Sequence, residues 1–292
     1  MTIAIIFSVA QTRVPKMPIP NNRVTGQLYF FHHSDEKPSI QMSDVHSEPN
    51  IRTGEFRNID VAILNAREIA GGANIGREGF ALSNFDTQVD DFFEDDQVER
   101  IYYPEIERFL KSKTRATQVH IFDHTIRVQD DVKRADKQAR TPVIAIHNDY
   151  TEWSGPKRVT DVMSDENASH YLKHHFTMVN VWRSIGVSAE RLPLVMADAR
   201  TMKQEDFVAS DLVYNNRKGE IFQIRHREGQ KWYYYPDMQR SEVILLKCFD
   251  NSKMATVRYT GHGTFENPTA SNALPPRESI EVRTMISFAP PN

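Results

Sequence analysis

The sequence predicts a mainly β protein, a sandwich or barrel with helices packed outside it. Three observations carry this. Apolar runs of strand length are numerous, turn residues separate most of them, and the regular strand–helix alternation that builds a parallel α/β sheet is missing. Strands are expected at 118–128, 143–149, 176–183, 192–196, 221–226, 243–249, 256–260 and 279–288. Helical spacing of apolar residues is expected to give flanking helices at 96–113, 164–175 and 203–214.

Taken in order, residues 1–60 are rich in Pro, Asn and Ser and read as a peripheral wrap with one strand-like run at 27–31. The leading apolar run Ile3–Ala10 lacks basic residues before it and is too short to span a bilayer. It reads as a disordered or loosely docked lead-in. Val61–Leu64 is strand-like, and Gly71-Gly72-Ala73-Asn74 is a turn leading into Glu78-Gly79-Phe80. That glycine pair lacks the Gly-Lys-Ser/Thr ending of a phosphate loop. The acidic cluster Asp90–Asp96 reads as a solvated loop or the charged first turn of the helix that follows, where Val98, Ile101, Tyr102, Ile106, Phe109 and Leu110 share one face. Pro104 falls early enough in that helix to be tolerated.

At 292 residues the chain can bury a full core. A formal net charge of −3, from 36 basic and 39 acidic residues without blocks of one sign, gives no footprint for a nucleic-acid partner. No stretch reaches membrane length, and the single cysteine, Cys248, lies in the apolar run 243–249 as a buried thiol. A cytoplasmic protein is expected. Nothing in the sequence speaks to oligomeric state.

Two short stretches carry chemistry. In Thr141–Asp149 the odd positions Val143, Ala145, His147 and Asp149 share one face of a strand, because side chains alternate with period 2. An imidazole and a carboxylate two residues apart can therefore grip one metal ion at the end of an apolar strand. His262 follows 256–260 between Gly261 and Gly263, which let the backbone bend around a ligand-bearing side chain. Two His and one carboxylate form the facial set that suits non-haem Fe(II) and leaves open coordination positions. Downstream, Arg277, Ser279, Glu281 and Arg283 share one face of a strand as a carboxylate-binding wall, since guanidinium forks match planar carboxylates. Glu281 complicates that wall unless it turns outward or holds an arginine in position. His170 and His174, four apart on a helix, lack the glutamate of a zinc-protease helix and read as surface histidines. His124 reads equally as a substrate contact or a satisfied structural histidine.

Several segments together resemble a known family: Glu78-Gly79-Phe80, Tyr102-Tyr103-Pro104-Glu105, and residues 119–127, 179–183, 242–250 and 276–283. Over residues 24–288 the chain resembles the CmcJ-like oxygenases of secondary metabolism, which include the gibberellin desaturase and the AsaB hydroxylase/desaturase group. The resemblance implies a double-stranded β-helix, or jelly-roll, barrel in a single oxygenase domain over 1–292, with its core at 115–292. It implies an Fe(II)/2-oxoglutarate-dependent dioxygenase using O2, with His147, Asp149 and His262 as iron ligands and Arg277 with Ser279 on the distal carboxylate of 2-oxoglutarate. Arg283 would contact the other end of that co-substrate or brace the site from behind, and Asn180 would hydrogen-bond co-substrate or substrate. Such an enzyme hydroxylates, desaturates or oxidatively cyclises a small molecule. Tyr150, Trp153, Arg158, Trp182 and Arg183 are candidate substrate contacts, and the arginines would suit an acidic or amino-acid-like compound. The run Gly261–Glu266 departs from the family's usual Pro before the histidine and Ala-Phe-Asp after it, which implies a wider or more mobile pocket there. The competing readings are a jelly-roll or cupin-like metal-binding module and an O2-independent metal enzyme.

Overall fold

The computed structural model describes residues 22–43 and 50–289, so the lead-in expected at Ile3–Ala10 lies outside the described residues. In chain order the strands begin with β1 (Arg23–His33), β2 (Ser39–Gln41), β3 (Ile51–Arg52), β4 (Glu55–Asn65) and β5 (Phe80–Asn84). Then come β6 (Gln118–Val128), β7 (His147–Asn148), β8 (Phe176–Ser184), β9 (Leu194–Ala197) and β10 (Phe207–Val213). The last are β11 (Lys218–Ile224), β12 (Trp232–Tyr234), β13 (Glu242–Asp250), β14 (His262–Thr264) and β15 (Glu278–Ser287).

The strands form two sheets, one in the order β5-β13-β8-β15-β6 and a larger one that contains the run β12-β9-β14-β7. From β6 to β9 the chain crosses between the sheets at every step, and from β12 to β15 it does so again. The two windings interleave, which makes this a double-stranded β-helix. Met178, Trp182, Ile244, Leu246 and Met285 of the smaller sheet and Met196 of the larger one belong to a single buried cluster.

Alternation gives the smaller sheet a second apolar face. Val179, Val181, Val243, Leu245, Ile280 and Val282 point outward onto Val98, Tyr102, Ile106, Phe109 and Leu110 of the segment that ends in the helix Tyr103–Thr114. Each such side chain, fully buried, contributes about 1.5–3 kcal/mol. Pro104 sits in the first turn of that helix, and Arg115 ends it in the left-handed region at φ 62°. Among the acidic residues of 90–96 none is buried, and Asp95 opens the first helical turn. No helix among the described residues is long and apolar enough to cross a membrane.

Several elements differ from expectation. Residues 203–214 form a short 3-10 turn, Gln204–Asp206, followed by β10 rather than a helix. Phe207, Val208 and Val213 favour an extended chain, and the Asn215-Asn216 turn folds the segment back onto β11 as a hairpin. Residues 256–260 are not a strand. There Val257 O and the Thr260 amide are bonded to the side chains of Lys247 and Asn148 instead of to a neighbouring backbone. Of 143–149 only His147 and Asn148 join the ladder, while Ala145 bridges β1 at Tyr29. The helix Ser154–Val162 was not anticipated. The described residues of the stretch 1–60, read as a wrap, supply β1 to β3 and the start of β4, whose end takes in the strand-like run 61–64; β4 lengthens the larger sheet by pairing with β12.

Candidate active site

The register of the larger sheet sets two imidazoles side by side. His262 is the direct antiparallel partner of His147, which places their Cβ atoms about 4.5–5.5 Å apart on one face. The ring centres are 4.7 Å apart. Asp149 follows just past β7, with Oδ1 3.3 Å from His147 Nε2 and 3.9 Å from His262 Nε2. All three ligand atoms lie within 4.8 Å of one another. His170 and His174 belong to no such triad among the described residues; His174 Nδ1 donates to the His170 carbonyl at the end of its helix.

Hydrogen bonding prepares the set for a cation. His147 Nδ1 donates to the Ala145 carbonyl and His262 Nδ1 to the Thr260 carbonyl, each at 2.9 Å. With the proton on Nδ1, each Nε2 lone pair is free to ligate. Burial and the neighbouring His147 push the His262 imidazole down, toward the neutral form a metal requires. Burial opposes ionisation of Asp149, yet the adjacent His147 and the Arg283 guanidinium hold its carboxyl well below the usual carboxylate range. A divalent ion favouring two imidazoles and a carboxylate fits these donors.

The second oxygen of Asp149 is also held. Its Oδ2 accepts a 2.7 Å hydrogen bond from Asn180 Nδ2 and lies 3.5 Å from Arg283 Nε. Asn180, which β8 turns inward, thus holds the carboxylate ligand through Nδ2, while its buried Oδ1 has no protein partner. Arg283 is no free anion grip. It donates to Thr125 Oγ1 at 2.8 Å, Asp123 Oδ2 at 3.3 Å and Glu281 Oε1 at 2.6 Å, so the bracing alternative fits and Glu281 holds the arginine in position. An Asn180→Ala substitution should weaken Fe(II) or Mn(II) binding by roughly 10–100-fold, the usual cost of an outer hydrogen-bond partner. Metal titration of the folded variant checks this, and an unchanged Kd would remove Asn180 from the centre.

Asn148, to which the sequence reading attached no role, ties the ligand segments together. Its Nδ2 donates to the carbonyls of Tyr150 (2.7 Å) and Cys248 (3.0 Å), and its Oδ1 accepts from the Thr260 amide at 3.4 Å. The signal was present in the chain, since a buried Asn between two ligand residues must find partners. Thr260 in turn donates to the Gly79 carbonyl at 2.7 Å. Gly79 has φ +90°, and a Cβ there would sit 2.1 Å from Thr260 Oγ1, so this position requires glycine. Gly261 and Gly263 do not occupy the left-handed region. A Cβ on Gly263 would meet Ile146 Cδ1 at 2.8 Å; the glycine permits close approach of β14 to the His147 segment, and the place beside His262 is filled rather than widened.

Arg277 is 2% exposed, donates to Ser279 Oγ (3.1 Å) and to the Leu192 carbonyl (2.8 Å), and stacks 5.0 Å from the Trp182 ring. Burial and the neighbouring Arg127 charge push its guanidinium down to about 9. A cavity of about 1070 Å³ opens over the centre, lined by His147, Asp149, Arg283, Tyr150, Phe122, Arg127 and Arg158. Arg158 lies 5.1 Å over the Phe122 ring. His124 also lines this cavity and shares a 2.7 Å hydrogen bond with Tyr103.

Of the expected substrate contacts, Tyr150 and Arg158 reach the cavity and three do not. Trp153 is 48% exposed outside it, and Trp182 is buried behind Arg277. Arg183 points the other way: strand alternation sends it to the outer face, among the rings of Phe85, Phe92 and Tyr102. Its Nη2 donates to the Phe85 carbonyl.

Fold and geometry define a class: a jelly-roll protein with a two-histidine, one-carboxylate centre beneath a large cavity. A family model described as Oxidoreductase/YMDC permease-like domain matches residues 28–287, and the chain belongs to that family. It is 26% identical to the alpha-ketoglutarate-dependent dioxygenase phiK of Fungal sp. (strain ATCC 74256), over 91% of this chain and 96% of the relative. It is 30% identical to the hydroxylase/desaturase asaB of Aspergillus flavus, over 44% of this chain and 62% of the relative. Among solved structures, the iron and alpha-ketoglutarate-dependent endoperoxidase NvfI superposes with a TM-score of 0.79 at 22% identity, covering 91% of this chain and 98% of its own. That likeness supports the jelly-roll fold, and the hydroxylase/desaturases among the relatives bear out the family resemblance read from the sequence.

Proposed function

We propose that this chain is a non-haem Fe(II)/2-oxoglutarate-dependent dioxygenase that hydroxylates, desaturates or oxidatively cyclises a small secondary-metabolite substrate, converting 2-oxoglutarate to succinate and CO2. The observation that carries the reading is the convergence of His147, Asp149 and His262 on one point, with a buried Arg277–Ser279 pair on the same barrel interior. Iron and the 2-oxo acid, when bound with O2, supply the oxidising chemistry, which side chains alone lack.

The chain's own residues supply the rest. His147 and His262 present Nε2 because their Nδ1 protons are held by backbone carbonyls. Asp149 stays ionised and oriented through Asn180 and Arg283. Arg277 and Ser279 would hold the distal carboxylate of 2-oxoglutarate, a planar anion suited to a guanidinium beside a hydroxyl. Tyr150 and Arg158 would position the substrate in the cavity, and Arg158 favours an acidic or amino-acid-like compound. The single cysteine, buried and unpaired, supports a cytoplasmic setting.

Anaerobic addition of Fe(II) and then 2-oxoglutarate tests the reading. A weak visible charge-transfer band should appear only when both are present. If the purified chain gives no band and no succinate with iron, 2-oxoglutarate and O2, it is a metal-binding module or an O2-independent enzyme instead.

A further inference from the structure

We propose that Arg127 is a second co-substrate-binding residue, forming with Arg277 and Ser279 a two-arginine cradle for the distal carboxylate of a five-carbon 2-oxo diacid. The inference rests on the oxygenase reading above. Arg127 on β6 is the direct antiparallel partner of Ser279 on β15, so their Cβ atoms stand about 4.5–5.5 Å apart on one face. Arg277 lies two residues before Ser279 and projects from that same face. Register therefore brings two guanidiniums and a hydroxyl to one place on the inner wall.

Both cations lack an anion. Arg127 donates from Nη1 to the Thr141 carbonyl at 2.8 Å, and Arg277 donates to Ser279 and Leu192. Among the described residues neither has an ion-pair partner, and Glu281, on the same strand face, is held by Arg283 at 2.6 Å. Burial pushes Arg127 down to about 10 and Arg277 to about 9. Arg277 is buried and Arg127 half-buried, and a cation withdrawn from water in this way is costly unless an anion arrives to pair with it.

The order of groups along the wall matches a diacid spanning from the metal to the cradle. By register Arg283 lies opposite Asp123, Glu281 opposite Thr125 and Ser279 opposite Arg127, so Arg127 stands nearer than Arg277 to the metal end of β15. Arg127 also lines the cavity beside Asp149. It thus stands between the ligand triad and Arg277.

The test compares the wild-type protein, Arg127→Gln and Arg127→Lys, each loaded anaerobically with Mn(II), by calorimetric titration with 2-oxoglutarate and with 2-oxobutyrate, which has no distal carboxylate. Loss of a charge-assisted contact should weaken 2-oxoglutarate binding roughly 10-fold or more in Arg127→Gln. Arg127→Lys, which keeps the charge without the fork, should fall between, and 2-oxobutyrate should bind all three proteins alike. Unchanged 2-oxoglutarate affinity in both variants, or an equal loss for both acids, overturns the assignment. If Arg127→Gln does not fold, the selective loss in Arg127→Lys decides. A wild-type protein that takes up Mn(II) but binds neither acid overturns the oxygenase reading itself, an outcome distinct from failure at Arg127 alone.

Discussion

Asp149→Ala is expected to abolish metal-dependent turnover and to lower Fe(II) affinity by more than the roughly 10–100-fold that loss of an outer hydrogen-bond partner costs. The carboxylate is the one anionic donor of the triad, and its removal leaves two imidazoles facing each other with Arg283 close by. A divalent ion placed there would keep two neutral imidazoles and no anionic donor. Arg283 keeps its partners Glu281 and Asp123, so the barrel should remain folded and the defect should be confined to the centre. Metal titration with circular dichroism as a control reads both points. Retention of wild-type Fe(II) affinity would show that the three side chains do not act as one ligand set.

Arg277→Met is the second large effect, and its two parts run in opposite directions. In the absence of ligand the variant should be as stable as the wild type or more so, because it replaces a buried guanidinium that has no carboxylate partner with an apolar side chain that can pack on Trp182. With ligand the variant should lose the paired contact to the diacid, worth about 1.5–3 kcal/mol for a charged hydrogen bond, or roughly 10–150-fold in affinity. Thermal melting of the metal-loaded protein with and without 2-oxoglutarate separates the two, since ligand-linked stabilisation grows with ligand concentration over Kd. A variant that is strongly destabilised without ligand yet still gains the wild-type increment from 2-oxoglutarate would make Arg277 a purely structural residue.

The parts of this molecule that were legible in the sequence are those set by short-range pattern. The largely apolar run 243–249 falls within strand β13, every residue of which is buried, because burial on both faces needs a nearly uninterrupted apolar run. The triad was legible because His147 and Asp149 are close in sequence and His262 stands out in a glycine-flanked position. Failures came where long-range pairing decides. The helical spacing of 203–214 yields to a hairpin with β11. Arg183 was grouped with its neighbour Trp182, although adjacent strand residues must face opposite ways. That Asn180 and Arg283 both reach Asp149 on another element is likewise invisible in a sequence, although for Arg283 it fits the bracing alternative.

The order of strands carries a consequence for synthesis. β14 enters between β7 and β9, and β15 enters between β6 and β8, so the two latest-made strands occupy interior places in both layers. Until they emerge from the ribosome, each layer is split into halves with bare edges, a state prone to sticking to other chains. The segment that carries β14 and β15 is thus a keystone, and removing it would dismantle the vault along its midline.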